Sequence, residues 1–440
     1  MKRVLIITYY WPPSGGSGVQ RWVKFTKYLP GEGWQPVVYA PENPSYQQLD
    51  ETLAADVPDG AEIIRRPIRE PYTVYRRLMG KGASTDIKTI VTPISSGRKT
   101  WKQRLSLWIR GNLFVPDPRV GWVRPSVRFL KKYLQEHPVD AIVTTGPPHS
   151  MHLIGQRLHA ALGTPWVADF RDPWTKMYYL KHLGMTRRTW RRIGRMEQAV
   201  LDECSTVLAV TPAVQADFRA RTSTPVAMIT NGFDESDFAA NCHLERSRDD
   251  KTPAFALTHT GLFASDGNPL TLWKVLGEMA AEDPALRSAL QLRLCGKVDR
   301  EIYAAIAEAG LAESVVNLGY VDHATAVREQ CAASVLLLPL RNDPDYKPIL
   351  PGKLFEYLAA RRPVLGIGQE DGAMAAVLRE TGAGTMCDWS NEAGIRTFLR
   401  AAWEQFCAKG AVPPVDSSAV ERYSRRNLTH ELAELLNQLP

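Results

Sequence analysis

Residues 348–366 read Pro-Ile-Leu-Pro-Gly-Lys-Leu-Phe-Glu-Tyr-Leu-Ala-Ala-Arg-Arg-Pro-Val-Leu-Gly. The order is loop, helix, start of strand. Pro351 suits a first helical turn, where its missing N–H costs nothing. Gly352 lets a ligand come close to the backbone. The free N–H groups of a helix start favour an anion, and Lys353 adds positive charge at the same end. A cation there is unfavourable for the helix alone, so a bound phosphate would account for it. Glu356 lies one turn further on, at the spacing that shares a helix face, where a carboxylate can accept from a pair of ribose hydroxyls. Pro363 stops the helix before the apolar run Val364–Gly368. An amphipathic helix with a solvated Lys353 and Glu356 fits the same residues.

Working outward, the second half of the chain alternates. Phe255–Gly261, Gln291–Gly296, Val315–Val321 and Ser334–Leu340 read as apolar strands, and Leu270–Ala281 and Ala324–Cys331 as helices. Their strand-end loops hold the polar candidates Gly261, Gly296, Lys297, Tyr320 and Lys353. The first half alternates too. Val4–Tyr10 is a continuous apolar strand, as in a parallel sheet buried on both faces. Pro12, Pro13, Ser14, Gly15, Gly16, Ser17 and Gly18 follow. Val19, Trp22, Val23, Phe25, Thr26 and Leu29 recur at helical spacing, and Val37–Ala40 resumes as a strand. This is a Rossmann-like unit whose glycine turn, with Gly16 and Gly18, suits phosphate. It fits a dinucleotide fingerprint poorly, because position 21 is Arg where a third Gly would stand.

Val139–Thr145 is a further strand, ending in Gly146-Pro147-Pro148-His149-Ser150. Pro165–Ala168 leads into Asp169-Phe170-Arg171-Asp172-Pro173-Trp174. Both polar strings follow strands, where open α/β sheets bind ligands. His149, Asp169, Arg171 and Asp172 are therefore candidate catalytic residues, with a structural cap or an internal salt bridge as the alternative for each. Ser205–Thr211 and Val226–Thr230 read as the remaining strands of this half.

The string Gly352-Lys353-Leu354-Phe355-Glu356-Tyr357-Leu358-Ala359-Ala360-Arg361-Arg362-Pro363-Val364 resembles the nucleotide-sugar helix of GT-B glycosyltransferases, in particular the retaining family 4. The Gly-Pro-Pro-His-Ser and Asp-Phe-Arg-Asp-Pro-Trp strings look like those of the bacterial members that build surface polysaccharides. The resemblance implies an α/β fold of two Rossmann-like domains facing across a cleft. It implies a nucleotide-sugar site at Gly16, Gly18, Gly261, Lys297, Tyr320, Val321, Gly352, Lys353, Leu354 and Glu356. Gly319-Tyr320-Val321 would border the nucleobase and Glu356 would hold the ribose. Two departures stand out. The family often carries a first Glu eight residues before Glu356, where this chain has Pro348. It also commonly places an Arg and a Lys after the first strand of the second domain. Here Leu262–Pro269 holds neither, so Lys297 or Lys353 would substitute.

The expected organisation is an N-terminal acceptor-side domain over 1–233, a polar linker over 234–253, a nucleotide-sugar domain over 254–414, and a C-terminal helix in 415–440 returning to the first domain. The reaction implied is glycosyl transfer from a nucleoside-diphosphate sugar to a saccharide or lipid-linked acceptor, with no cofactor. Metal-independent catalysis is expected. A sugar-nucleotide 2-epimerase of the same fold, or a non-catalytic sugar-nucleotide or lipid-binding scaffold, would share these features.

Composition sets the remaining bounds. At 440 residues the chain is long enough for about two or three domains. With 44% hydrophobic and 23% charged residues it is a globular composition, and no run reaches the roughly 20 apolar residues that span a bilayer. Residues 1–232 carry 33 basic and 18 acidic residues, whereas the rest is acidic and the total is +7. Such asymmetry points to an anionic partner for the first half. Arg65, Arg66, Arg69, Arg76, Arg77, Lys81, Lys88, Arg98, Lys99, Lys102, Arg104 and Arg110 interleave with Tyr72, Tyr75, Leu78, Trp101, Leu105, Leu107, Trp108 and Ile109. The mix fits an interfacial segment on an anionic membrane surface, or a solvated basic face. No helix-turn-helix, RRM or zinc pattern appears, so nucleic acid is not expected. The six cysteines lack short paired spacing and read as reduced thiols of a cytoplasmic protein, peripheral at the inner membrane face.

Overall fold

Parallel strands buried on both faces need helices on each side, and the alternating pattern supplies them. The structure, a computed structural model, describes residues 1–46, 49–70, 101–239, 242 and 254–440. The chain divides into two compact units, Met1–Thr230 with Thr429–Pro440, and Asn231–Leu428.

The first unit holds a seven-stranded sheet, numbered here in chain order: β1 Lys2–Ile7, β2 Trp34–Pro41, β3 Glu62–Arg66, β4 Ala141–Gly146, β5 Trp166–Phe170, β6 Thr206–Ala209 and β7 Val226–Met228. Its strand order is β3-β2-β1-β4-β5-β6-β7 and every pairing is parallel. The order reverses between β1 and β4, which is where ligands bind in such sheets. Central strands are buried throughout, as in β4 and β5, while the edge strand β3 is mostly exposed. From Thr429 the last helix, Arg425–Asn437, belongs to this unit, where His430 meets Glu32 at 2.9 Å and Lys2 donates to Asn437.

The second unit holds six parallel strands: β8 Phe255–Thr260, β9 Leu290–Cys295, β10 Val315–Gly319, β11 Val335–Pro339, β12 Val364–Ile367 and β13 Gly384–Cys387. Their order is β10-β9-β8-β11-β12-β13, with the reversal between β8 and β11. Each unit has its own apolar core around its sheet. The α/β class and the two parallel sheets agree with the reading from sequence.

Three readings need correction. Arg65 and Arg66, read as part of an interfacial segment or a solvated basic face, are tied into the sheet. They lie on β3, where Arg65 donates to the Pro12 carbonyl at 2.7 Å and Arg66 stacks over Phe129. The stretch read as irregular contains two helices, Trp101–Leu113 and Val120–Glu136. The second buries Trp122, Val123, Leu130 and Leu134 at helical spacing despite Pro125 inside it. The cysteines are not all free thiols: Cys242 and Cys331 form a disulfide, their Cα atoms 5.4 Å apart. A separation of 89 residues hid that proximity. The basic residues Arg76, Arg77, Lys81, Lys88, Arg98 and Lys99 lie outside the described residues, as do Tyr72, Tyr75 and Leu78.

Candidate active site

In the first unit the strand-end loops are tied together by a guanidinium. Arg171, just past β5, donates from Nη1 to the Gly18 carbonyl at 2.7 Å and from Nη2 to the Pro147 carbonyl. Its ring-like head also packs over Tyr10. The glycine turn and the Gly-Pro-Pro-His turn, on either side of the sheet's reversal, are thus pinned by one side chain. A Cβ on Gly18 would lie 3.0 Å from Arg171 Nη1, so glycine leaves room for the clamp.

Asp169 takes a different place from the one expected. It is fully buried at the end of β5, and its carboxylate accepts from Arg21 Nη2 at 3.0 Å, Trp22 Nε1 at 2.7 Å and Thr145 Oγ1 at 2.8 Å. Arg21, also fully buried, continues to the carbonyls of Thr230 and Ile229. Its oxygens are thus engaged by Arg21, Trp22 and Thr145, and the side chain has no exposure. Asp172 is the exposed member of the string, and its side chain makes no hydrogen bond among the described residues.

His149 opens the helix Ser150–Leu162. Its ring is buried, stacks on Trp174 with centroids 5.0 Å apart, and places Nε2 3.3 Å from Met177 Sδ. Its Nδ1 has no hydrogen-bond partner. Burial, with His152 and Arg171 nearby, holds its pKa well below the usual histidine value, so the ring is neutral. His152 is similar, pushed down by burial to about 3, with Nδ1 against Thr144 Oγ1. Glu197 fixes the loop that carries Trp174, accepting from the Thr175 N–H and hydroxyl and from Arg221.

In the second unit the ends of β8, β9 and β10 form an edge of main chain. The Gly261 N–H donates to the Cys295 carbonyl at 2.6 Å, and the Gly296 N–H donates to the Gly319 carbonyl at 2.5 Å. Gly261 and Gly296 have φ of 92° and 123°, values that side chains resist. A Cβ on Gly296 would strike the Gly261 carbonyl at 2.4 Å, and one on Gly261 would strike Lys353 Cε at 2.5 Å. Tyr320 follows on the strand end with 84% of its surface exposed, and Val321 beside it is half-buried.

The helix Gly352–Ala359 starts after Pro351 with no side chain capping it. It buries Leu354, Phe355, Tyr357 and Leu358, which leaves Lys353 and Glu356 half-buried on another face. Lys353 reaches back to the first strand: Nζ donates to the Leu262 carbonyl at 3.1 Å and lies 3.3 Å from His259 Nε2. Burial lowers its pKa from 10.5 to about 8, against the pull of Glu356. Of the two expected substitutes for a basic loop after β8, Lys353 is the one whose side-chain ammonium meets that loop. Lys297 is exposed, and its carbonyl accepts from the Phe263 N–H. Glu356 accepts from Gln330 Nε2 at 3.0 Å, and the same amide donates to Thr260 Oγ1 at 3.0 Å. Gln330 is fully buried and its Oε1 has no hydrogen-bond partner among the described residues. Tyr357 accepts from the Thr260 N–H at 3.0 Å. Thus Gly261, Lys353 and Glu356 come together with His259, Thr260, Gln330 and Tyr357. Sequence reading missed these last four, although His259-Thr260-Gly261 at a strand end was a visible signal.

Residues 89–237 match the family model described as Glycosyltransferase Family 4. The match includes the Gly-Pro-Pro-His and Asp-Phe-Arg-Asp strings but not the stretch Pro348–Gly366. No curated protein matches the sequence. Three solved structures of low identity share the fold. A glycosyltransferase from Rickettsia africae is 11% identical, with a TM-score of 0.59 over all of this chain and 98% of its own. HepE of Anabaena, solved in complex with UDP-glucose, is 13% identical, with a TM-score of 0.60 over the whole of both chains. WaaG, a glycosyltransferase involved in lipopolysaccharide biosynthesis, is 15% identical, with a TM-score of 0.51 over 99% of this chain and all of its own. The chain therefore has the fold of the GT-B glycosyltransferases, and its residues 89–237 match the glycosyltransferase family 4 model.

Proposed function

We propose that this protein transfers a glycosyl group from a nucleoside-diphosphate sugar to an acceptor hydroxyl. The observation that carries the reading is the grouping in the second unit of a glycine edge, an uncapped helix start, the Lys353 ammonium and, one turn on, the Glu356 carboxylate. Main-chain N–H groups and Lys353 would stabilise the leaving diphosphate as the bond from the sugar's anomeric carbon to its oxygen breaks. Glu356 would accept from the ribose hydroxyls, and the exposed ring of Tyr320 would offer a face to the base. Glycosyltransferases with this fold, and the family 4 match, support the class of reaction.

The finer features are part of the same proposal. On the acceptor side, Asp172, His149 and Arg171 are the groups nearest the strand ends that could meet a hydroxyl. The bond formed joins the acceptor oxygen to the anomeric carbon, and the hydroxyl's proton leaves to a base or to the departing phosphate. Retention of configuration rests on the resemblance alone, and independence of metal is part of the same proposal. A lipid-linked saccharide as acceptor, in surface-polysaccharide synthesis, fits the likeness to WaaG.

An anionic membrane surface is favoured by one further observation. The helix Trp101–Leu113 is held on one side by Gly111, packed against Leu183, and by Asn112, which accepts from the Thr186 N–H and the Thr189 hydroxyl. Trp101, Leu105, Trp108, Ile109 and Leu113 are exposed, with Arg104 among them. Among the described residues no helix is long and apolar enough to cross a membrane, so such contact would be along the surface.

The test is incubation with a panel of radiolabelled UDP-, GDP-, ADP- and dTDP-sugars and membrane extract. Label moving into lipid or saccharide is the expected result. Conversion of the donor to an isomer would identify an epimerase, and neither outcome would leave a binding scaffold.

A further inference from the structure

His259 is the residue on β8 immediately before Thr260-Gly261, at the reversal of the second sheet. Its ring is 2% exposed. Nδ1 lies 3.0 Å from the carbonyl of Leu337 on the neighbouring strand β11. A carbonyl can only accept, and Nε2 also lies 3.4 Å from the Leu262 carbonyl; the shorter Nδ1 contact assigns the proton to Nδ1. In a neutral imidazole the other nitrogen then has a lone pair, and Nε2 is the atom that faces Lys353 Nζ at 3.3 Å. Burial beside Lys353 keeps the ring neutral, with its pKa down at about 3.

The lysine therefore meets an acceptor whose tautomer is fixed by the sheet. Two of the three ammonium donors go to His259 Nε2 and the Leu262 carbonyl. The third is left for a ligand anion. Gly261 keeps the space over which the side chain lies, since a Cβ there would sit 2.8 Å from Nζ. Without the histidine, a four-carbon stem with many rotamers would have only one carbonyl to hold it.

We infer that His259 is a positioning residue: its Nε2 lone pair holds the Lys353 ammonium at the glycine edge, charged and aimed, before a phosphate group arrives. The role rests on the reading of this edge as a diphosphate site. It concerns a strand residue that touches no substrate and acts through the lysine. The titratable groups that face Lys353 are the Glu356 carboxylate on its own helix and the neutral His259 on β8.

The experiment reads Lys353 itself. The full chain is reductively methylated over a range of pH, and the rate at Lys353 is followed by mass spectrometry of its peptide. Only the neutral amine reacts, so the midpoint of the rate reports its acidity. The wild type should show a midpoint near 8. His259→Asn keeps a donor for Leu337 but is too short to reach Lys353. It should lower the midpoint by about one pH unit, roughly tenfold in acidity, because the ammonium loses a charge-assisted acceptor. His259→Gln, long enough to present its amide oxygen near the Nε2 position, should restore the wild-type midpoint. A merely structural histidine would alter stability without moving this profile.

An Asn variant with an unchanged midpoint overturns the inference. So does a wild-type midpoint at the ordinary lysine value of 10.5, a result that needs no variant to fold. Protection of Lys353 from methylation by UDP, GDP, ADP or dTDP, each supplied at millimolar concentration, tests the diphosphate reading separately. If none protects while the midpoints behave as stated, the site reading fails and the histidine–lysine pairing stands.

Discussion

Arg171 Nη1 donates to the carbonyl of Gly18 across 153 residues of chain, at 2.7 Å. The same guanidinium reaches Pro147, so two loops on either side of a sheet's reversal share one donor group. Geometry, rather than charge alone, sets this contact, because only a planar fork can serve two carbonyls in fixed directions. Arg171→Lys should keep the charge and lose the clamp. Amide hydrogen exchange over residues 16–19 and at Gly146 and His149 should accelerate by about tenfold, the effect of losing one hydrogen bond to a charged donor. Unchanged exchange in both loops would show that they hold themselves.

Asp169 should matter for folding. Replacing it by Ala strands the buried Arg21 guanidinium without its carboxylate. Breaking a buried pair from one side costs about 3–5 kcal/mol. Urea unfolding should show a loss of that order, with turnover falling only as the folded fraction falls. A folded, stable Asp169→Ala protein that is nonetheless inactive would return the residue to the chemistry.

Glu356 and Gln330 give a paired prediction. Glu356→Gln should weaken nucleoside-diphosphate binding by about tenfold, the worth of a hydrogen bond to a charged acceptor. Gln330→Leu removes the amide that orients Glu356. It should weaken the same binding, and the two losses should be less than additive because they act on one contact. Calorimetric titration of the two single variants and the double variant checks this. Full additivity would mean that the amide does not act through the carboxylate.

Donor binding should depend on alkaline pH. The folded-state pKa of Lys353, about 8, lies below its ordinary value of 10.5. The protein therefore disfavours the charged lysine, and stability declines as pH falls from 10.5 towards 8, then levels off below it. A bound phosphate favours the charged form, so its affinity should be highest below pH 8 and fall as pH rises through that value. Isothermal titration at pH 7 and pH 9 measures the difference. Lys353→Met should show weak binding at both.

The exposed face of the helix Trp101–Leu113 should govern attachment to vesicles. Trp101→Ser with Trp108→Ser should reduce co-sedimentation with vesicles containing phosphatidylglycerol. The binding that remains should fall as salt rises from 0.05 to 0.5 M, since exposed charges are screened over a Debye length of about 10 Å at 0.1 M. Attachment unaffected by both changes would favour a solvated face.

Much of the fold was legible because parallel strands announce themselves as uninterrupted apolar runs. Val4–Ile7, Ala141–Val143 and Phe255–Leu257 are buried on both faces and read correctly as strands. The edge strand β3 was missed because it is largely exposed and reads as charged, Glu-Ile-Ile-Arg-Arg. The helix Val120–Glu136 was missed because Pro118 and Pro125 punctuate it. At the sites, the sequence marked strand ends well, since glycines and polar strings cluster there. It could not tell Asp169 from Asp172. Three residues apart, one points into the protein and the other lies exposed, a consequence of the chain leaving β5 between them. Gln330 gave little signal, and His259 was marked only by its place at a strand end, because their roles depend on Glu356 and Leu337, which are distant in sequence.

The glycine edge of the second unit has a bearing on how such a protein can diverge. Gly261, Gly296 and Gly319 are joined to the strand ends through peptide groups alone, and side chains are shut out of Gly261 and Gly296 by φ and by contact. Selection therefore has almost nothing to vary there. Any change in which donor is accepted must be written around that edge, at positions such as Tyr320 and Lys297 whose side chains stand open to solvent. If the edge holds a nucleotide as proposed, a laboratory attempt to redirect the protein should randomise those two positions and leave the glycines untouched, and nucleotide preference should then change without loss of binding.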